Sequence, residues 1–181
     1  MKILEDRLLI RRFKTGDSDA LQRIYEKYRC SLLKLAVVMT NDINCAEDVV
    51  HEVFLNFARS ISQIKPRGNL KSYLATSVAN QIRNIRRNTA RRQTSKLTDN
   101  NCIVSVLPRP EQWATLSEQL IMLSNAMTQL PEKQREAVAL RIEAGMSFKQ
   151  IAVIQKVPAN TTRGRYRYGI KRLRSILDGK V

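Results

Sequence analysis

The side chains best suited to chemistry in this sequence lie between Asn160 and Lys171, and that chemistry is recognition of a polyanion. The stretch carries Asn160, Thr161, Arg163, Gly164, Arg165, Arg167, Tyr168 and Lys171. Guanidinium groups make forked hydrogen bonds to phosphates and to guanine edges, and lysine meets phosphate as a point charge. Asn160 and Thr161 stand where a helix begins, and exposed amides there attract phosphate. Wound as a helix from about Thr161, the segment puts Thr162, Tyr166, Ile170, Leu173 and Leu177 on one face, and these should pack. Gly164, Arg167, Tyr168, Lys171 and Arg172 fall opposite, while Arg163 leans toward the packed side. No Asp or Glu occurs from Ala144 to Leu177. An ordinary solvated face mixes its signs, so a segment this one-sided favours a nucleic-acid partner.

A second window without acids runs from Val53 to Thr98. It contains the loop Ile64-Lys65-Pro66-Arg67-Gly68-Asn69 and a basic helix after it. A loop on a rigid helix pair can hold an unstacked base, and neighbouring cations can hold the backbone. The candidates are Lys65, Arg67, Asn69, Lys71, Tyr73, Thr76, Asn80, Arg83, Arg86 and Arg87. Tyr73 is read as core more readily than as a stacking platform, because it lies beside the apolar stripe.

Between these basic regions and the N-terminus lies one acidic surface. Asp48, His51, Glu52, Leu55 and Arg59 share a face of one helix by 3.6-residue geometry. A carboxylate patch around a leucine suits a protein partner with basic side chains, and equally suits plain solvation.

Other function classes find no support. There is no GxxxxGK[ST], GxGxxG or HExxH, and His51 is the only histidine, so neither a catalytic triad nor a metal site is expected. Cys30, Cys45 and Cys102 have no CxxC spacing, which argues against zinc and against a disulfide framework and for reduced thiols. No signal peptide opens the chain and no apolar run is long enough to span a membrane. The expectation is a cytoplasmic protein without cofactor, catalytic residue, membrane insertion or small-molecule substrate. The net charge of +16 and the pI of about 10.3 point the same way, to a polyanion.

The elements that would position these residues are helices. Asp17 and Ser18 can cap a helix with Leu21, Ile24, Tyr25, Tyr28, Leu32 and Leu35 on its apolar face, ended by Thr40-Asn41-Asp42. Asn44 and Glu47 have the spacing of a capping box before a helix from Ala46 to Ile61. A further helix begins near Asn69, with Leu70, Leu74, Ser77, Val78, Gln81, Ile82 and Ile85 on its stripe and Thr76, Ala79, Asn80, Arg83, Arg86 and Arg87 opposite. Periodicity fades from Thr89 to about Gln112, a polar stretch holding Pro108 and Pro110 that reads as a linker. A second domain starts near Trp113, with Leu116, Leu120, Leu123 and Met127 as one stripe. Pro131 suits the first position of the next helix, Gly145 ends it, Ser147 with Gln150 opens a short helix, and Val157-Pro158 turns into the last. The expected fold class is therefore all-α: two small helical domains, 1–90 and 113–181, joined by a flexible linker over 91–112, the second a helix-turn-helix.

Together these residues resemble a bacterial RNA polymerase sigma factor of the extracytoplasmic-function group, over nearly the whole chain. Ala46 to Leu55 resembles that family's polymerase-binding helix. Asn69-Leu70-Lys71-Ser72-Tyr73-Leu74 and Ala79-Asn80 resemble its promoter-melting segment. Leu130-Pro131, Ser147 to Ala152 and Thr161 to Arg165 resemble its reader of the minus-thirty-five element. The sequence departs from the pattern at His51, Tyr73, Gln150, Thr162 and Gly164, where glutamine, tryptophan, glutamate, an aliphatic and a serine-like residue are usual. The resemblance implies core RNA polymerase and promoter DNA as partners, with room for an anti-sigma protein. It implies that Asp48, His51, Glu52 and Leu55 dock on polymerase, that Lys65 to Arg87 serve the minus-ten element, and that Asn160 to Lys171 serve the minus-thirty-five element. The alternative is a helix-turn-helix repressor or activator that binds DNA as a dimer. A recombinase would need a nucleophile or metal site, and none is visible.

Overall fold

The structure is a computed structural model, and it describes residues 2–61, 69–95 and 118–179. Every element among the described residues is a helix. The first, α1 (Lys2–Lys14), was not read from the sequence. It seats Leu9 and Ile10 in the core and buries Asp6, whose carboxylate accepts hydrogen bonds from Tyr28 and from Lys27. Helix α2 (Ser18–Thr40) starts at Asp17, whose carboxylate accepts from the amides of Asp19 and Ala20, and stops at Asn41 in the left-handed region with φ of 58°. That is the expected cap pair.

The capping box expected at Asn44 and Glu47 does not form. Helix α3 (Ile43–Ser60) begins earlier, because Ile43 is buried, and Asp42 caps it through the Cys45 amide. Helix α4 (Leu70–Ser95) is capped by Asn69, which accepts from the Lys71 amide. It runs through Thr89 and into the stretch expected to be linker. A polar run without glycine or proline has nothing to stop a helix already started, so loss of amphipathicity was mistaken for loss of helix. Its buried stripe is Leu70, Leu74, Ala75, Val78, Ala79 and Ile82. Ala79 was expected on the other face, and Ile85, expected on the stripe, is exposed.

In the C-terminal half, α5 (Glu118–Thr128) carries Leu120 and Met127 inward. Leu116, assigned to the same stripe, and Trp113, expected near the start of the second domain, lie outside the described residues, as do Pro108 and Pro110. Helix α6 (Glu132–Ile142) has Pro131 one residue before its start. Helix α7 (Phe148–Gln155) has the expected capping box of Ser147 and Gln150, and α8 (Ala159–Leu177) starts directly after Pro158.

Helix α2 is the central element, packing on α1, α3 and α4 and also on α5 and α6. This explains why Ala36, Val37, Val38 and Met39 are all buried although they are consecutive. A helix is enclosed on every side only where neighbours arrive from every side. Within the C-terminal half, α8 packs on α6, and Gly169 is a point of tight contact between them. A Cβ there would meet Val138 Cγ2 at 2.8 Å.

Candidate nucleic-acid interfaces

On α3 the acidic face is present as the sequence implied. Asp48 and His51 are exposed, Leu55 is 36% exposed, and Glu52 is half-buried and accepts from Asn56. The opposite face of the same helix buries Val49, Val50, Val53, Phe54 and Phe57, which holds these polar residues outward. Cys45 lies half-buried near Asp42 and Asp48. Burial first, and then those carboxylates, push its thiol above the usual range. Among the described residues no cluster of His, Cys, Asp and Glu could hold a metal ion.

Between α3 and α4 lies a cleft of about 230 Å³. Phe57 and Tyr73 form its aromatic wall, with ring centroids 6.2 Å apart, and Tyr73 is 42% exposed. Around them stand Asn56, Ser60, Ser77, Asn80, Gln81 and Asn84. A ring for stacking with hydroxyls and amides at hydrogen-bonding range is what an extruded base requires. Tyr73 is thus a wall of the cleft rather than core. Asn56, Ser60 and Asn84 were missed, and Ser77 and Gln81 had been assigned to packing. The signal was legible: polar residues at 77, 81 and 84 repeat at helical spacing and have no place in a core.

The other candidates on α4 divide. Lys71 is half-buried, and Thr76 is half-buried with its hydroxyl on the Ser72 carbonyl. Asn80 accepts from Arg83, and Arg87 is exposed and bonds Asn84. Arg83 and Arg86 do not join the cleft. Arg83 pairs with Glu136 of α6, and Arg86 pairs with Glu132 and bonds the Met39 carbonyl. Lys65 and Arg67 lie outside the described residues.

The recognition face belongs to α8. Thr162, Gly169 and Leu173 are buried against the preceding helices. Asn160, Thr161, Arg163, Arg167, Tyr168 and Lys171 are exposed. Gly164 is open, with nothing within 4 Å of an added Cβ. Arg163 was expected to lean inward, yet it is exposed and lies 5.7 Å from the Phe148 ring, which Arg141 approaches from 4.9 Å. Arg165 is the inward one. It is half-buried and donates to Gln155 at 2.8 Å. Its position three residues after Thr162 and four before Gly169 puts it beside the packed face. A groove of about 600 Å³ runs along this helix, floored by Phe148, Tyr166 and Ile170 and edged by Arg163, Arg167, Lys171 and Arg174. Leu177, assigned to the packed face, is 51% exposed because the helix outruns its neighbours.

Two family models match the chain: Sigma-70 region 2 over residues 24–92 and Sigma-70, region 4 over residues 120–173. The first covers the acidic face and the cleft, and the second covers the helix-turn-helix. The chain belongs to the sigma-70 family of transcription initiation factors. Within it, the chain is a sigma factor of the extracytoplasmic-function group, which directs promoter-specific transcription. It is 25% identical to the RNA polymerase sigma-H factor of Pseudomonas aeruginosa, over 96% of this chain and 92% of that one. It is 26% identical to the ECF RNA polymerase sigma-E factor of Escherichia coli, over 98% and 95%. Two solved structures share its fold. CnrH in complex with the cytosolic domain of CnrY has a TM-score of 0.70 at 17% identity, covering 98% of this chain and 99% of that chain. The sigma factor RpoE in complex with the anti-sigma factor NepR from Bartonella quintana has a TM-score of 0.67 at 22% identity, covering 87% and 96%.

Proposed function

We propose that the exposed α3 face with Asp48, His51, Glu52 and Leu55 docks this chain on core RNA polymerase, and that two separate surfaces then handle promoter DNA. The α3–α4 cleft takes a base extruded from the melted minus-ten element. Asn69, Lys71, Thr76, Asn80 and Arg87, with Lys65 and Arg67 from outside the described residues, hold the strand. The free face of α8, with Asn160, Thr161, Gly164, Arg167, Tyr168 and Lys171, enters the minus-thirty-five major groove. Arg163 stands at the edge of that face. The observation that carries this reading is the aromatic-walled, amide-lined cleft between α3 and α4. A duplex reader alone has no need of it, whereas strand opening does.

The chain performs no reaction of its own in this scheme and acts in the cytoplasm, where polymerase and promoter are. Among the described residues no helix is long and apolar enough to cross a membrane. The division is into an N-terminal unit that ends with α4 at Ser95 rather than at residue 90, and a C-terminal unit that carries α5 to α8, and each reader is weak alone. Joining both to one polymerase makes the second contact effectively intramolecular. The compact fold shared with two proteins solved in complexes, one of them with an anti-sigma factor, supports such a regulator as a further partner.

The test is a charge reversal. Asp48→Lys with Glu52→Lys should abolish binding to core polymerase while leaving the helical circular dichroism unchanged, because neither side chain enters the core. Wild-type affinity in the double variant would remove the docking assignment.

A further inference from the structure

A second cleft, of about 620 Å³, borders helix α4. From α4 it takes Asn80, Arg83, Asn84 and Arg87, and across from them stand Lys133 of α6 with Ile154 and Lys156 from the end of α7. It is large enough for a small ligand. Among the described residues no carboxylate lines it. Its polar lining is made of donors. Arg83 is already neutralised by Glu136, and it donates to the Asn80 oxygen at 3.1 Å. Arg87 donates to the Asn84 oxygen at 3.3 Å. Both amide oxygens are thereby engaged, and the two amide nitrogens are left to donate. Arg87, Lys133 and Lys156 are exposed, and none has an ion-pair partner among the described residues.

The two lysines occupy positions that are unfavourable for lysine. Lys133 lies in the first turn of α6, where the positive end of the helix disfavours a cation. Lys156 ends α7 in the left-handed region with φ of 53°, which glycine takes with less strain. The Lys133 carbonyl accepts from Gln155 at 2.9 Å, which ties the start of α6 to the end of α7 and fixes both lysines at one cleft. An anion between them offsets the crowding of like charges.

We propose that this cleft binds a phosphate chain, carried by a nucleoside polyphosphate or by inorganic polyphosphate. Such a chain presents acceptors, which matches a lining of donors. It also spreads its charge along its length, which suits three cations that come from three helices, whereas a lone carboxylate reaches one or two. Arg87 can meet a phosphate as a fork, and the two lysines as point charges. Ile154 adds an apolar surface suited to a nucleoside. Asn80 and Arg87 are shared with the strand contacts assigned above, but Lys133 and Lys156 take no part in those contacts or in the docking face.

The experiment titrates tripolyphosphate and ATP, each without divalent cations, into the full chain by calorimetry at about 0.1 M salt. Lys133→Gln with Lys156→Gly removes two charges from the cleft, and glycine suits the left-handed position, so the helical circular dichroism should be kept. Lys34→Ala with Lys149→Ala removes two exposed charges outside the cleft and is the control. Exposed contacts are screened, so losing two predicts about tenfold weaker binding of both probes in the cleft variant, with the control unchanged. No binding to the wild-type chain overturns the site. Equal loss in both variants also overturns it, because a chain of net charge +16 attracts any polyanion diffusely. Tripolyphosphate bound as tightly as ATP supports recognition of the phosphate chain alone, and tighter ATP supports a nucleoside as its carrier. A short oligodeoxythymidine is the third probe. If its affinity falls in the cleft variant as far as that of tripolyphosphate, the cleft is part of the strand path and the small-ligand site is overturned; unchanged affinity supports a separate site. Should the cleft variant not fold, Lys133→Gln alone must weaken both probes by a smaller factor, and no weakening overturns the site. Failure here leaves the docking and strand assignments standing, since no variant touches those residues.

Discussion

Gly164 and Gly169 lie five residues apart on α8, and an added methyl group should move stability in opposite directions at the two positions. At Gly169 the new Cβ would stand 2.8 Å from Val138 Cγ2, with Gln134 Cβ and Leu130 Cδ2 each at 3.4 Å. Carbon atoms prefer roughly 3.5–4.0 Å. Val138 is 2% exposed and β-branched, so it cannot swing aside. Forced overpacking of this kind costs about 2–3 kcal/mol. Replacing glycine by alanine in a helix offsets about 1 kcal/mol of that, which leaves Gly169→Ala less stable by about 1–2 kcal/mol. At Gly164 nothing lies within 4 Å, so only the helix preference acts and Gly164→Ala gains about 1 kcal/mol. Urea denaturation followed by helical circular dichroism should separate the two variants by about 2–3 kcal/mol. A Gly169→Ala midpoint equal to or above wild type would refute the close approach of α8 to α6, and with it the seating of the recognition helix.

The free face of α8 should contain two kinds of contact. Arg167→Ala should cost about 1–3 kcal/mol and relax preference at one minus-thirty-five position, whereas Lys171→Ala should weaken all promoters alike and reduce the salt slope by about one charge. Transcription from a library covering every minus-thirty-five base, run at several salt concentrations, distinguishes them; uniform loss in both variants would mean that this helix positions without reading. Thr162 is fully buried and its hydroxyl has no hydrogen-bond partner, so Thr162→Val should raise stability by about 1 kcal/mol in the same urea assay, and a fall would show that the hydroxyl is satisfied.

Local pattern alone determined much of this protein. Asp17, Asn41 and the Ser147–Gln150 box marked helix ends correctly, because capping depends on neighbours in the chain. The outward face of α3 and the free face of α8 were legible for a similar reason: a helix with one apolar stripe has only one way to turn. Errors began where a residue's role depends on a distant element. Asn44 lost the cap to Asp42 because Ile43 finds a core to enter. Tyr73, Ser77 and Gln81 looked like packing residues until α3 was set beside them and a cleft appeared. Arg83 and Arg86 carry the composition of DNA contacts, and only the arrival of Glu136, Glu132 and the Met39 carbonyl shows where they are held. Arg165 stood with the other minus-thirty-five candidates, and only the structure shows that it donates to Gln155. Helical period assigns a side chain to a face, but what lies opposite that face is decided by packing between segments far apart in the chain. Tertiary structure alone therefore showed which of the candidate cations among the described residues are already paired.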